Sequence, residues 1–127
     1  MATIELTKDN FDETLKSSDI MLIDFWASWC GPCKMFGPVF EAASEANADL
    51  VFGKVNTEEQ QDLAGAFGIR SIPTLAIFRE NVLVFMQPGS LPADALTDLI
   101  DQVRKLDMDD VRQKIAEAEA QGDQSPS

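Results

Sequence analysis

The sequence predicts an α/β fold built on a central mixed β-sheet, and three features of the chain indicate it. Apolar segments of strand and helix character alternate in the order β-α-β-α-β-α-β-β-α, which is typical of α/β domains. Residues 20–26 are apolar on both faces apart from Asp24, as in a central parallel strand. Residues 79–81 are short enough to join the last two strands as an antiparallel hairpin, and Asn81 tolerates positive φ.

The first half of the chain supplies three strands and two helices. Phe11 and Leu15 lie four residues apart with polar residues between them, which predicts a short first helix with Thr7 as its candidate cap. Four apolar residues at helical spacing predict a longer helix over residues 31–47: Phe36, Val39, Phe40 and Ala43. The strands are predicted over residues 3–6, 20–26 and 50–55.

The second half supplies two helices and the hairpin strands. The predicted elements are a helix over residues 58–67, strands over residues 75–78 and 82–86, and a helix over residues 93–106. Gly68 is suited to end the first of these helices. Pro92 fits the first position of the second helix and Asp94 fits its first turn. The apolar face of this helix is formed by Leu96, Leu99, Ile100 and Val103.

Length and composition indicate one globular domain and exclude several functional classes. The chain has 127 residues, of which 45% are hydrophobic and 25% charged. Ten basic and 22 acidic residues give a net charge of −12, which argues against binding to nucleic acid. There is no His, so the commonest general base and metal ligand is missing. We expect no metal site and no bound cofactor.

The chain shows no signal peptide or membrane span. Residues 1–19 lack a basic region followed by an apolar core. The longest apolar run, residues 20–29, contains Asp24 and is far shorter than the ~20 residues that a span needs. Two cysteines three residues apart close too small a loop to stabilise a secreted fold. We therefore expect a cytoplasmic protein with no membrane partner.

Residues 107–127 differ in composition from the domain predicted over residues 1–106. They carry six acidic and two basic residues, so −4 of the net charge lies there and −8 lies before it. Asp107 is the candidate cap of a helix, and residues 122–127 are expected to fray. The apolar stripe of this helix is Met108, Val111, Ile115 and Ala118. We favour a marginal helix lying on its own domain; the alternative is a docking helix for a partner.

Cys30 and Cys33 lie where a buried strand gives way to a helix. The amides and dipole of a helix N-terminus favour a thiolate there, and Lys34 adds a positive charge. Thiols three residues apart form a disulfide after a small distortion of the first turn. Attack by one thiol on a mixed disulfide held by the other gains from effective molarities that reach about 10⁵ M. The reaction rate would therefore depend more on having two thiols close together than on one highly reactive thiol.

Two other uses of the cysteine pair are open. A structural zinc site needs four ligands, so with two Cys and no His it would require a dimer that shares four Cys. An inert buried pair is the second alternative, although Gly31 and Pro32 between the cysteines fit a strand-to-helix switch better.

The segment Trp29–Lys34 resembles the active site of the thioredoxin family. The resemblance covers roughly residues 3–106 in order and spacing, which makes it far more specific than a bare CxxC motif. The other matching motifs are Asp24-Phe25-Trp26-Ala27, Pro38, Gly68-Ile69-Arg70-Ser71-Ile72-Pro73-Thr74 and Gly89. The resemblance implies a thioredoxin fold, with helices on both faces of the sheet, and a thiol-disulfide oxidoreductase that cycles through a redox-active Cys30–Cys33 disulfide.

The resemblance also implies roles for four residues. Cys30 is the nucleophile that attacks a substrate disulfide, and Cys33 is the resolving cysteine. Asp24 matches an aspartate that lies beneath the second cysteine and acts as its general base, and Lys54 matches the lysine that tunes this aspartate. Burial without a partner raises the pKa of such a carboxyl. The alternative for Asp24 is a buried structural carboxylate paired with Lys54.

A substrate-binding surface around the dithiol is implied as well. Ile72–Pro73 matches the family's cis-proline loop, which faces the dithiol and pairs with substrate backbone; an ordinary trans turn is the alternative. The implied substrate-binding residues are Trp29, Gly31, Pro32, Ile72, Pro73 and Gly89. Trp26 is expected in the core.

The resulting hypothesis is a monomeric reductase of cytosolic protein disulfides, itself re-reduced by a flavin-dependent thioredoxin reductase. The family implies ribonucleotide reductase, peroxiredoxin and methionine sulfoxide reductase as substrates. A net oxidase or isomerase is less favoured, because Gly31-Pro32 resembles the reducing members of the family. The third hypothesis is a binding or chaperone-type subunit with incidental thiols.

Overall fold

A five-stranded mixed sheet forms the centre of the computed structural model, which describes residues 2–122. The strands are β1 (Thr3–Glu5), β2 (Ile20–Trp26), β3 (Val51–Asn56), β4 (Thr74–Arg79) and β5 (Val82–Pro88). The helices are α1 (Phe11–Lys16), α2 (Gly31–Ala46), α3 (Gln61–Ala66), α4 (Ala93–Arg104) and α5 (Met108–Gly122). The strand order is β1-β3-β2-β4-β5, with β1, β3 and β2 parallel and β4 and β5 antiparallel to their neighbours. The predicted α/β fold with a mixed sheet is confirmed.

The central strand β2 is buried on both faces, as its composition predicts. Leu22 packs into a cluster with side chains of α2 and α4, including Phe36 and Leu96. Its neighbour Ile23 points to the opposite face and packs with Phe11 of α1. A fully buried side chain of this kind contributes about 1.5–3 kcal/mol, so helices on both faces hold the end of β2 firmly in place.

Two helices begin later than the sequence predicts, because side chains of nearby polar residues hold the preceding chain in turns. Thr7 was the expected cap of α1, but its hydroxyl accepts from the amide of Asp9 and caps the turn before the helix, whose own N-cap is Asn10. The helix predicted from residue 58 begins at Gln61. The Asn56 carboxamide oxygen accepts from the Glu58 amide and makes a turn there.

Helix α4 begins at Ala93, as predicted, and ends two residues earlier than predicted. Pro92 occupies the N-cap with extended backbone rather than the first helical position. At the other end, the Arg79 guanidinium donates to the carbonyl oxygens of Val103 and Leu106, at 2.8 and 2.6 Å. These bonds satisfy carbonyls that an ending helix leaves free.

The β4–β5 hairpin turns through Glu80 and Asn81, both at positive φ. Asn81 was expected to accept this conformation, and Glu80 was not. Arg112 of α5 pairs with the Glu80 carboxylate at 2.6 Å, which ties the last helix to the hairpin. Asp107 caps that helix as predicted, accepting from the amides of Asp109 and Asp110.

The predicted stripe of α5 lies on the domain only at the first turns of the helix. Met108 is buried and Val111 half-buried, whereas Ile115 and Ala118 are exposed. Residues 123–127, most of the segment expected to fray, lie outside the described residues. Within residues 2–122, no helix has both the length and the apolar character needed to cross a membrane.

Candidate active site

The cysteine pair lies at the carboxyl end of the sheet, at the start of α2. Strand β2 ends at Trp26, and Cys30 is the N-cap residue of the helix, with extended backbone. Pro32 stands in the first turn, where a missing amide leaves nothing unpaired. The Cα atoms of Cys30 and Cys33 are 5.2 Å apart and their sulfurs are joined in a disulfide. This separation is an ordinary one for a disulfide, so opening and closing it requires little movement of the backbone.

The helix terminus is suited to stabilise a thiolate at Cys30. The amide of Cys33 donates to Cys30 Sγ at 3.2 Å, so this sulfur is the one on which an N-cap acceptor normally stands. Negative charge at that place is stabilised by the amides and dipole of α2. The first turn contains the cation of Lys34 and no acidic side chain that would oppose it.

The Ile72–Pro73 loop lies against the dithiol. Cys30 Sγ is 3.5 Å from the carbonyl oxygen of Ile72, and the Ile72–Pro73 peptide is cis, as the resemblance implied. The Gly89 amide donates to the Pro73 carbonyl at 2.8 Å, and Gly89 adopts a φ of 108°, which a residue with a side chain rarely adopts. The Ile72–Pro73 loop therefore lies between Cys30 on one side and the segment of Gly89 that holds it on the other.

The residues that the resemblance assigned to substrate binding differ in exposure. The Trp29 side chain is 68% exposed, whereas Cys30 and Cys33 are 3% and 5% exposed. Gly31, Pro32 and Gly89 are exposed, Ile72 is half-buried and Pro73 is buried. Trp29 and Ile72 also line a shallow cavity of about 340 Å³. A substrate would meet an open surface that leads to a recessed disulfide.

Asp24 is fully buried in the middle of β2, and its backbone pairs with Lys54 on β3. Lys54 Nζ lies 3.9 Å from Asp24 Oδ2, too far for a hydrogen bond, and neither carboxyl oxygen has a hydrogen-bond partner among residues 2–122. Burial raises the pKa of Asp24 to about 7; the charge of Lys54 lowers it and that of Glu41 raises it. A carboxyl that titrates there is able to take up and return a proton at neutral pH.

A cavity of about 480 Å³ lies behind Cys33, and Trp26 lines it together with Lys54. The expectation that Trp26 belongs to the core holds in part, because its side chain packs against the buried cluster of Ala27, Cys30 and Cys33. It is the last residue of β2, where the sheet ends, and it is half-buried. Its ring centroid lies 5.2 Å from Lys54 Nζ, a cation–π contact that holds the lysine beside the cavity.

Two polar residues of this region, Glu41 and Thr3, were missed at the level of sequence. Glu41 of α2 lines the same cavity, and its Oε1 accepts from the Thr3 hydroxyl of β1 at 2.6 Å. Its Oε2 is buried without a hydrogen-bond partner in the described part of the chain. The acid follows Phe40 at the edge of an apolar helical face, where an acidic residue is typical of solvent exposure, so no sequence signal pointed to it.

Metal binding has no support from the arrangement of ligating side chains. Across residues 2–122, no three His, Cys, Asp or Glu side chains are grouped so that they could hold an ion. What the site does hold is a disulfide, a buried carboxyl and a lysine, which together are suited to electron-pair and proton transfer.

Comparison with known proteins places this geometry in a family context. The family model described as Thioredoxin matches residues 2–102. A Streptomyces coelicolor protein named "Putative thioredoxin 2" is 67% identical over 120 residues, covering 94% of this chain and 90% of that protein. A thioredoxin of Chlorobaculum thiosulfatiphilum is 43% identical over 100 residues, covering 77% and 93%.

Solved structures give the same result for the fold. A single-residue mutant of thioredoxin from Halobacterium salinarum superposes with a TM-score of 0.75 at 36% identity, covering 82% of this chain and 91% of that one. The short form of thioredoxin f from spinach chloroplast gives 0.74 at 32% identity, covering 82% and 96%.

Proposed function

Because the chain belongs to the thioredoxin family and is a thiol-disulfide oxidoreductase, we propose that it works in the direction of reducing protein disulfides. The observation that carries the proposed direction is the Gly31-Pro32 pair between the cysteines, which resembles the reducing members of the family. Cys30 is the N-cap of α2, and the Cys33 amide donates to its sulfur. This placement stabilises the thiolate of the reduced form. A stabilised reduced form gives up electrons less readily, so the direction of flow needs a measurement of its own.

The proposed reaction has two exchanges. The Cys30 thiolate attacks a substrate disulfide, so that a bond forms between Cys30 Sγ and one substrate sulfur and the other leaves as a thiolate. Asp24 then accepts the proton of Cys33, through water, and the Cys33 thiolate attacks Cys30 Sγ. The Cys30–Cys33 disulfide forms, the second substrate thiolate leaves, and one electron pair has passed to the substrate.

Lys54 tunes Asp24 in this mechanism. Its ammonium group stands 3.9 Å from the buried carboxyl and favours the ionised form. The alternative, in which Asp24 and Lys54 form a structural pair only, gives the same geometry but no change of rate with the protonation of Asp24.

The partners we propose follow from the family rather than from this site. A flavin-dependent thioredoxin reductase would return the oxidised protein to the dithiol form, so the chain itself needs only its two sulfurs. Disulfides of ribonucleotide reductase, peroxiredoxin and methionine sulfoxide reductase would be its substrates, in the cytoplasm, with the protein acting as a monomer. The exposed residues Trp29, Gly31 and Pro32 offer such substrates a surface next to the recessed disulfide.

The reduction potential of the Cys30–Cys33 couple tests the direction of flow. The reduction potential of thioredoxins as a class is about −270 mV, against about −120 mV for the strongly oxidising periplasmic members of the fold. Equilibration with glutathione redox buffers, read by mass after thiol trapping, is expected to give a value close to the first. A value near the second would overturn the reductase assignment. A Cys30→Ser, Cys33→Ser double variant that keeps full biological function would favour the binding-subunit alternative instead.

We propose that residues 1–106 are the functional domain and that residues 107–127 are accessory. Deleting residues 107–127 is expected to change the rate of insulin disulfide reduction less than about twofold, because α5 meets the far end of the hairpin rather than the dithiol. Unfolding in urea should show a loss of about 1–3 kcal/mol, since Met108 is buried. Met108→Ala in the full chain is the matched variant for that loss. A large fall in rate on deletion would show that the segment helps to form the site.

A further inference from the structure

The cavity behind Cys33 holds a second half-buried carboxylate, that of Glu41, which the mechanism above does not use. We propose that Glu41 is a positioning residue of the redox reaction, which keeps Asp24 ready to carry a proton at neutral pH by countering the charge of Lys54. The inference rests on the proposed role of Asp24 as base for Cys33.

Glu41 acts through Asp24 rather than on the sulfurs. It follows Cys33 by eight residues on α2, which is about 12 Å along a helix axis. A carboxylate at that distance is out of reach of the Cys33 proton. It lines the same cavity as Lys54, however, and one turn before it stands Gly37, where a Cβ would lie 3.9 Å from Lys54 Nζ. The lysine head group is therefore packed against the face of α2 that carries Glu41.

The hydrogen bonding of Glu41 shows that it is held in this place. The hydroxyl of Thr3 donates to Oε1 at 2.6 Å and holds the carboxylate in place. Thr3 lies on β1, the strand that pairs with β3 on the side away from β2. The second oxygen, Oε2, is buried with no hydrogen-bond partner among residues 2–122. Leaving a buried charged oxygen unpaired costs free energy, so stability alone does not favour a glutamate at this position.

The charges that face Asp24 are few and come from two elements. Strand β3 contributes Lys54, and helix α2 contributes Glu41. Two further titratable groups of α2, Cys33 when reduced and the exposed Lys34, line the cavity that Lys54 and Glu41 share. On the other side, β4 pairs Asp24 with the neutral Leu75. Glu41 is thus the anion that opposes Lys54 at Asp24.

This opposition matters for the chemistry of the base. Lys54 favours the ionised form of Asp24, and a carboxylate of lower pKa is a weaker base toward a thiol. Glu41 raises the pKa of Asp24, as burial does, toward neutral pH. A base that titrates near the working pH accepts the Cys33 proton more readily and still releases it in the next cycle.

Glu41→Gln tests the inference, with Glu45→Gln, an exposed acid on the next turn of α2, as the matched control. The glutamine keeps a carbonyl oxygen for the Thr3 hydroxyl and removes the charge. The titration of the Asp24 carboxyl is followed by carbon-13 NMR in the disulfide form. Its midpoint is expected to fall by about half a pH unit to one pH unit in Glu41→Gln and to stay in place in Glu45→Gln.

Lys54→Gln supplies a comparison of opposite sign, because removing the cation should raise the same midpoint. The rate of the resolving step completes the test. The rate at pH 6 divided by the rate at pH 8 should be about threefold higher in Glu41→Gln than in the unaltered protein, as the lower midpoint of Asp24 requires. An Asp24 midpoint that does not move in Glu41→Gln, or that rises, overturns the inference. A midpoint that falls while the rate profile stays unchanged supports the electrostatic effect of Glu41 and overturns the role of Asp24 as base.

Discussion

Replacing Cys33 by serine is expected to stop the reaction at the mixed disulfide and to lower the rate of insulin disulfide reduction by at least about 100-fold. In the unaltered protein the second thiol attacks from within the same helical turn, and such intramolecular attack reaches effective molarities of about 10⁵ M. In Cys33→Ser the mixed disulfide is cleaved only by intermolecular attack of dithiothreitol, which is present at millimolar concentration. The geometry supports the comparison, since the Cys33 amide already touches Cys30 Sγ and serine preserves that amide.

Quenched reactions analysed by mass spectrometry identify the intermediate in this experiment. Reduced Cys33→Ser should accumulate a covalent adduct with the substrate through Cys30. Cys30→Ser is the control: it keeps one thiol, but that thiol lies one turn inside the helix, so no adduct should accumulate at a comparable rate. Equal insulin-reduction rates for Cys33→Ser and the unaltered protein would contradict the two-thiol mechanism.

Much of the fold is predictable because its main signals are local in sequence. Strand β2 is apolar on both faces, and that composition has only one stable place in a sheet, its middle. The long helix α2 ends within one residue of its predicted end. The start of α3 was not predictable from periodicity, because the Asn56 side chain accepts a hydrogen bond from the Glu58 amide and holds the preceding residues in a turn.

The candidate site also contains residues that local sequence signals identify and residues that they do not. The dithiol is recognisable because its two cysteines and the residues around them are close in sequence. The acid in β2 is recognisable because it interrupts a strand that is otherwise apolar on both faces. The Glu41–Thr3 contact joins α2 to an edge strand 38 residues earlier, and no periodic pattern records a contact of that kind. Trp26 belongs to the core only in part for a related reason: its sequence neighbours are core residues, but the end of the strand opens onto the cavity.

Asp24→Asn is expected to make the protein more stable at pH 8 and less active. The ordinary pKa of an Asp is 3.8, and in the folded protein burial raises that of Asp24 to about 7. Between these values the folded protein holds a proton that the unfolded chain has released. The free energy of unfolding therefore falls as the pH rises from about 4 to about 7, by about 4 kcal/mol in total at 1.36 kcal/mol per pH unit, and stays low above pH 7.

The asparagine side chain has nearly the same shape and never ionises, so it removes this loss. Urea unfolding of the disulfide form should show Asp24→Asn to be about 2–4 kcal/mol more stable than the unaltered protein at pH 8, and close to it at pH 4. Asp98→Asn, an exposed acid on α4, is the control and should stay within about 0.5 kcal/mol at both values. An Asp24→Asn variant less stable than the unaltered protein at pH 8 would show that the ionised carboxyl is stabilised by groups other than Lys54.

Turnover of the same variant separates the two roles of Asp24. A general base contributes typically about 10²-fold or more, so the resolving step in Asp24→Asn should slow by at least about tenfold at pH 7. The exposed Asp98→Asn control should keep the rate of the unaltered protein, because its carboxyl lies on α4, away from the cavity behind Cys33. An Asp24→Asn variant that gains stability and keeps its full rate would identify Asp24 as a structural partner of Lys54 and not as the base.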